Sequence, residues 1–236
     1  MLRKHSFVEG ETYHIYNRGA HKQSIFKDKI DYARFLLLLH ISNTKKAIET
    51  REILKKYGGR SSGEVFKDIN GDRVVEIISY CLMPNHFHLV LRQKEENGIT
   101  IFMKKFATAY SMYFNKKYEH SGTLFQGRFK SSHINNEAYF RYIFSYVHLN
   151  PLDIFQPGWK EGIKDINGAK NFLKTYPYFS LPDYPKSSRP EGSVLSFEDM
   201  PDFLKTQNDL EDLLTWHNTE DRPPEVWTLD RGLVEV

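Results

Sequence analysis

The 236-residue sequence holds a single cysteine, Cys81, so no disulfide can close within the chain, and a reducing cytosol is the expected compartment. Long apolar runs are also missing. The longest wholly apolar stretch is Phe35 to Leu39, far short of the roughly 20 residues a membrane-spanning helix needs, so no membrane segment is expected. The opening residues, MLRKHSFVEGETYHIYNRG, carry charge but no apolar centre, which argues against a secretory signal. No internal repeat is visible. A strong net charge is absent too, with 33 Lys/Arg against 30 Asp/Glu, a balance of +3.

That small balance conceals an asymmetry. Residues 191–236 carry 3 basic and 12 acidic groups, a charge of −9, which leaves the remaining body with 30 basic and 18 acidic groups, or +12. A basic body favours a polyanionic partner, whereas an acidic tail does not. The alternative is a solvated surface followed by a disordered tail. The hydrophobic content of 40% is sufficient for a packed core. Aromatics make up 14%, with 14 tyrosines, and such rings both fill cores and stack on unpaired bases.

The expected order of elements is β-α-β-β-α-β-α. Thr12 to Tyr16 alternates as a first strand that NRG (17–19) ends. Asp31 to Tyr57 is predicted helical, with Tyr32, Phe35, Leu36, Leu39, Ile48, Ile53 and Leu54 as its apolar positions, and GGRSSG (58–63) breaks it. Arg73 to Leu82 and His86 to Arg92 form an antiparallel pair joined at Met83-Pro84-Asn85. Ile99 to Tyr118 is helical, Thr123 to Ile134 is a strand, and Asn136 caps a helix from Glu137 to Leu149 that Pro151 closes. These elements imply an α+β fold, an antiparallel sheet with helices packed on it. From about 185 the composition shifts (PKSSRPEGS), giving a main domain over 1–184 and an acidic linker and amphipathic tail over 185–236.

Three local patterns carry chemistry. In His86-Phe87-His88, strand alternation points both imidazoles to one face while Phe87, Leu89 and Leu91 face a core, which makes half of a metal site. Two partly exposed strand histidines would look the same. In YIFSYVHLNP, Tyr146 and Asn150 are one helical turn apart on a shared face, with Tyr142 a turn before. Asn150 offers a neutral oxygen ligand, and Tyr146 offers a phenol that becomes a nucleophile on losing its proton. Tyrosines packed at the edge of a core would show the same spacing. In LFQGRFKS (124–131), Phe125, Arg128, Phe129 and Lys130 interleave rings and cations, which suits stacking on bases and neutralising phosphates. An ordinary half-buried strand is equally consistent with it.

Taken together and in order, YHIYNRG, YCLMPNHFHLVL, YFNKKYEHSGTLFQGRFKS and YIFSYVHLNP resemble the REP-associated tyrosine transposases, members of the single-tyrosine HUH transposase superfamily of bacterial insertion sequences. The likeness runs from about Tyr13 to Tyr184. It implies a ferredoxin-like (RRM-like) HUH core, with His86 and His88 as the HUH motif, Tyr146 as the nucleophile and Asn150 as the third metal ligand. It further implies a DNA strand transferase that cleaves and rejoins single-stranded, palindromic hairpin DNA through a 5′-phosphotyrosine link. The mixed N/O ligand set suits Mg²⁺ or Mn²⁺, though the imidazoles would accept Zn²⁺ or Ni²⁺ as well. Arg18, Lys104, Lys105, Lys116, Lys117, Phe125, Arg128 and Lys130 are the expected DNA contacts, and a homodimer is possible on this reading.

Two features depart from the family pattern, the long stretch 44–73 and the acidic tail. Two other functions compete. One is a non-catalytic hairpin-binding relative; the other is a metal-dependent hydrolase with water as nucleophile, which would require further Asp or His ligands. For the tail, Phe197, Met200, Phe203, Leu204, Leu210, Leu213 and Leu214 form an apolar stripe that could dock it over the DNA site as a brake, or simply cover an apolar patch.

Overall fold

In the computed structural model, residues 6–46, 72–184, 189–196, 210, 213 and 214 are described. Four strands form one antiparallel sheet: β1 (Thr12–Arg18), β2 (Val75–Met83), β3 (His86–Gln93) and β4 (Lys130–Ile134), in the spatial order β2-β3-β1-β4. The helices that separate them are α1 (Lys29–Ser42) and α2 (Gly98–Tyr118), so the connectivity is β-α-β-β-α-β, the ferredoxin-like arrangement. Helix α3 (Glu137–Leu149) follows, then the short α4 (Leu152–Phe155) and α5 (Ile166–Thr175). The expected α+β class and element order are what the described residues adopt.

Burial divides the sheet into two faces. Phe87 meets Phe35 of α1 and Phe106 of α2 with ring centroids at 5.2 and 6.0 Å, and Phe35 packs edge-on to Phe106 at 4.5 Å. Helices α1 and α2 therefore cover the face that carries Phe87, Leu89 and Leu91. Helix α3 crosses the other face, over β2, β3 and β4. The result is three layers, helix–sheet–helix, with both faces of β2 and β3 largely buried and β4 mostly exposed.

Local chemistry fixes the element ends. Asp28 caps α1 by accepting from the Ile30 and Asp31 amides, while Asp31 accepts from the Asp28 amide in return. The helix stops at Ser42, well before the expected Tyr57, because the side chain of Asn43 turns to the sheet. It accepts from the amides of Val74 and Val75 and donates to the Val75 carbonyl. Ile48, Ile53 and Leu54 lie outside the described residues. Gly98 starts α2 where any Cβ would fall 2.2 Å from the Val74 carbonyl oxygen. Asn136 caps α3 as expected, accepting from the Tyr139 amide at 2.8 Å.

Two strands differ from expectation. β1 runs on to Arg18, since Asn17 and Arg18 still pair with Phe87 and His86. The expected strand Thr123–Ile134 shrinks to Lys130–Ile134, because Gly127 adopts a φ of 145° and the segment before it folds back on β1, with the Gln126 amide donating to the Arg18 carbonyl.

After α5 the chain returns along the outer edge of β2. The amides of Leu82 and Ser180 bond to the carbonyls of Tyr178 and Tyr80, and the Ser196 amide bonds to Ile77. Arg189 grips Asp183 with two nitrogens at 2.7 Å. This strap closes an edge that would otherwise offer unpaired backbone groups, and its buried Val194 and Leu195 join the core. Residues 189–196, read from the sequence as linker, thus pack on the body. Of the acidic tail's stripe, Leu213 and Leu214 are buried and Leu210 packs against the core, while Phe197, Met200, Phe203 and Leu204 lie outside the described residues. No helix among the described residues is long and apolar enough to cross a membrane.

Candidate active site

The site forms where α3 crosses the polar face of the sheet. β3 alternates, so His86 and His88 share that face with ring centroids 5.0 Å apart. In the neighbouring strand, Tyr16 pairs with His88 and Arg18 with His86. His14 lies one pleat along from Tyr16, and its ring stacks on His88 at 5.1 Å. Helix α3 presents Tyr146 to this array, edge-on to His88 at 5.5 Å and to His14 at 6.1 Å. One turn later, Asn150 Oδ1 lies 3.0 Å from His86 Nε2 across 64 residues of sequence. His86, His88, Asn150 and Tyr146 are thus brought together within one chain.

The family model for Transposase IS200 like matches residues 33–150, half of the sequence, from within α1 to Asn150. The chain belongs to the IS200-like transposase family. Among solved structures, it is similar to a REP-associated tyrosine transposase bound to a REP hairpin, with 14% identity over 85% of this chain and 97% of the other and a TM-score of 0.44. It is also similar to a candidate transposase from Deinococcus radiodurans R1, with 17% identity over 62% of this chain and 95% of the other and a TM-score of 0.33. At these values neither likeness bears on function. No curated protein matches the chain.

The electrostatics of this IS200-like transposase keep the imidazoles neutral. Burial lowers His86 to about 4, with the Asn150 contact opposing and the charges of Arg18 and Lys160 assisting. Burial also holds His88 well below the usual range, reinforced by His86, His14 and Lys160, and it lowers His14 to about 3. Neutral rings offer lone pairs, as a metal ligand must.

The donor set can be tested against a cation from its hydrogen bonds. His86 Nδ1 lies 2.7 Å from Asn85 Oδ1, an acceptor, so the ring proton belongs there and Nε2 carries a lone pair. That lone pair faces Asn150 Oδ1, another acceptor, while Asn150 Nδ2 is buried with no hydrogen-bond partner. Two facing acceptors beside an unused donor fit a cation between them. Among the described residues, no group of three or more His, Cys, Asp or Glu could hold a metal, so the candidate set is two imidazoles and one amide oxygen.

The expected DNA contacts separate into two groups. Arg18 is beside His86, and its buried Nε has no hydrogen-bond partner. Lys130 pairs with Tyr16 and so shares the histidine face, and Arg128 is exposed just before it. The lysines of α2 belong to the opposite layer. Lys105 donates to the carbonyls of Thr44 and Lys46, and Lys117 pairs with Asp28 and Asp31. Lys104 and Lys116 are exposed on that same helix. Phe125 is buried, its ring packed against Phe87 and Tyr110 at 5.9 and 6.5 Å. The interleaved rings and cations of that segment divide between core and surface.

Sequence reasoning missed His14 and Lys160. His14 stands in the quoted motif YHIYNRG, two residues before the partner of His88, and strand pairing would have exposed it. Lys160 lies in a loop with no periodicity, so nothing in the sequence marked it.

Proposed function

We propose that this transposase cleaves and rejoins single-stranded DNA with Tyr146 as nucleophile and with His86, His88 and Asn150 holding Mg²⁺ or Mn²⁺. The observation that carries this reading is the meeting of Asn150 with His86 at 3.0 Å on the face where Tyr146 abuts His88. The form of the substrate, a palindromic hairpin, rests on the four ordered motifs. In the proposed site all four residues come from one chain. A cytoplasmic location suits the single, buried Cys81.

The phenol of Tyr146 loses its proton to water, and its oxygen attacks phosphorus. The Tyr146 Oη–P bond forms, the P–O3′ bond breaks, and the leaving 3′ oxygen takes up a proton to become a free hydroxyl. Phosphoester energy is retained in the link, so a second 3′-hydroxyl can reverse the step and join a new strand. A bound divalent ion would draw charge from the non-bridging oxygens. Arg18, at the strand end beside His86, orients the same phosphate.

One observation favours the non-catalytic reading: Tyr146 is only 2% exposed. Its cover includes the indole of Trp159, with ring centroids 6.1 Å apart, so the phenol itself is shielded from solvent. A covalent-adduct assay separates the readings. Labelled hairpin DNA with Mg²⁺ or Mn²⁺ should yield a denaturation-resistant protein–DNA species that Tyr146→Phe abolishes without loss of hairpin binding. Binding with no adduct for the native chain would leave only the non-catalytic reading, and cleavage without an adduct would point to hydrolysis by water.

A further inference from the structure

The segment that covers Tyr146 carries a cation. Gly158 and Gly162 adopt φ values of 83° and 146°, conformations that favour glycine, and between them Trp159–Glu161 makes a single 3-10 turn. Gln156 ties the loop shut: its Nε2 donates to the Gly162 carbonyl at 2.8 Å, and its Oε1 accepts from the Lys164 amide at 2.9 Å. Trp159 is fully buried and anchors the turn. The backbone that bears Lys160 is therefore held on both sides.

From that turn, Lys160 Nζ reaches over the ring of Tyr146, 5.1 Å from its centroid. Its charge is felt beyond the ring. It draws down the carboxyl of Asp153, which burial raises. Trp159, His14 and His88 are buried, whereas Lys160, His86 and Arg18 are half-buried and rim the site. Lys160 thus places its cation at the half-buried rim beside Tyr146.

We propose that Lys160 is a catalytic residue whose ammonium holds a non-bridging oxygen of the scissile phosphate beside Tyr146. This rests on the reading of Tyr146 as nucleophile. As the Tyr146 Oη–P bond forms and the P–O3′ bond breaks, charge on the equatorial oxygens persists in a site partly closed to water. A fixed ammonium there is worth more than one in bulk solvent. Lys160 takes up no proton and gives none in this step; the phenolic proton leaves to water and the 3′ oxygen is protonated from water.

Two measurements on the full chain test the assignment. First, the rate of adduct formation on labelled hairpin DNA is compared for the native chain, Tyr146→Phe, Lys160→Met and Lys160→Arg, alongside their thermal melting. Lys160→Met should form adduct about 100-fold more slowly with an unchanged melting curve, and Lys160→Arg should recover part of the rate. Second, hairpin binding is followed against salt in the Tyr146→Phe background, where no chemistry occurs. Adding Lys160→Met should reduce the slope of log K on log salt by about 0.7, the value for one lysine–phosphate pair on a single strand. If native protein forms adduct through Tyr146 and Lys160→Met does so equally fast with an unchanged slope, the Lys160 assignment fails and the Tyr146 reading stands. If the native protein forms no adduct, both fall. A slowing of Lys160→Met that merely follows its loss of folded fraction would also overturn the proposal and reduce Lys160 to packing on the ring.

Discussion

His88 Nδ1 lies 2.9 Å from His14 Nε2 in the interior of the sheet. For His88 to offer Nε2 to a cation, its proton must sit on Nδ1 and be donated to His14. That requires the His14 proton on Nδ1, and His14 Nδ1 is buried with no hydrogen-bond partner. A buried polar atom left unpaired costs about 1–3 kcal/mol, and a function for the pair accounts for that cost. His14 then acts as a positioning residue that fixes ring and tautomer of a ligand. His14→Phe should fold and should weaken Mn²⁺ affinity by about 10–100-fold, read by titration with an Mn²⁺ signal. Equal Mn²⁺ affinity would show that His14 is only a packed ring.

Asn150 should separate function from stability. Its Oδ1 meets His86 and its Nδ2 has no hydrogen-bond partner, so few polar contacts of the side chain serve the fold. Asn150→Ala is expected to melt within a few degrees of the native chain while losing adduct formation and Mn²⁺ binding. A large fall in melting temperature would mean that Asn150 holds α3 to β3 for structural reasons.

His148 gives a pH dependence away from the site. It is fully buried on α3, between the Phe144 carbonyl and the Ser180 hydroxyl at 2.9 and 2.8 Å. Burial lowers it to about 3, against 6.5 when unfolded. With the folded value the lower one, protons bind the unfolded chain more readily. The contribution of His148 is therefore complete above about pH 6.5 and is lost as pH falls toward 3, by at most about 1.4 kcal/mol per pH unit. Urea unfolding between pH 7 and 5 should show a steeper loss for the native chain than for His148→Gln. Parallel curves would contradict the assignment.

DNA should track the histidine face of the sheet. Lys130 shares that face and Arg128 adjoins it, whereas Lys104 and Lys116 project from the helix layer behind. Lys130→Ala or Arg128→Ala is expected to flatten the salt dependence of hairpin binding, each by about 0.7 in slope, with Lys104→Ala and Lys116→Ala unchanged. The reverse pattern would move the DNA to α2.

Asn43 is a purely structural test. Its side chain pairs the amides of Val74 and Val75 and the Val75 carbonyl at 2.9–3.0 Å. Asn43→Ala leaves those buried groups without their partner and should cost about 2–3 kcal/mol in urea unfolding, with hairpin binding by the folded fraction preserved. A cost near zero would mean that water replaces the amide.

The sequence by itself determined what depends on neighbours along the chain. Alternation put His86 and His88 on one side of β3 and Phe87 on the other; helical spacing put Tyr146 and Asn150 on one stripe; Asn136 marked the start of α3. Each is a matter of backbone period or of a cap within four residues, which local sequence encodes directly. Only the tertiary structure decided which distant groups meet. It ended α1 at Ser42 because Asn43 bonds to a strand some thirty residues on, and it shortened β4 because the preceding segment bonds to β1 instead. It turned Phe125 into the core and gave Lys105 and Lys117 partners within the fold. It also delivered His14 and Lys160 to the site, one by strand pairing and the other by a glycine-flanked turn. Strand partners and loop closures join residues far apart in the chain, and their free energy comes from burial and pairing that no short stretch of sequence contains.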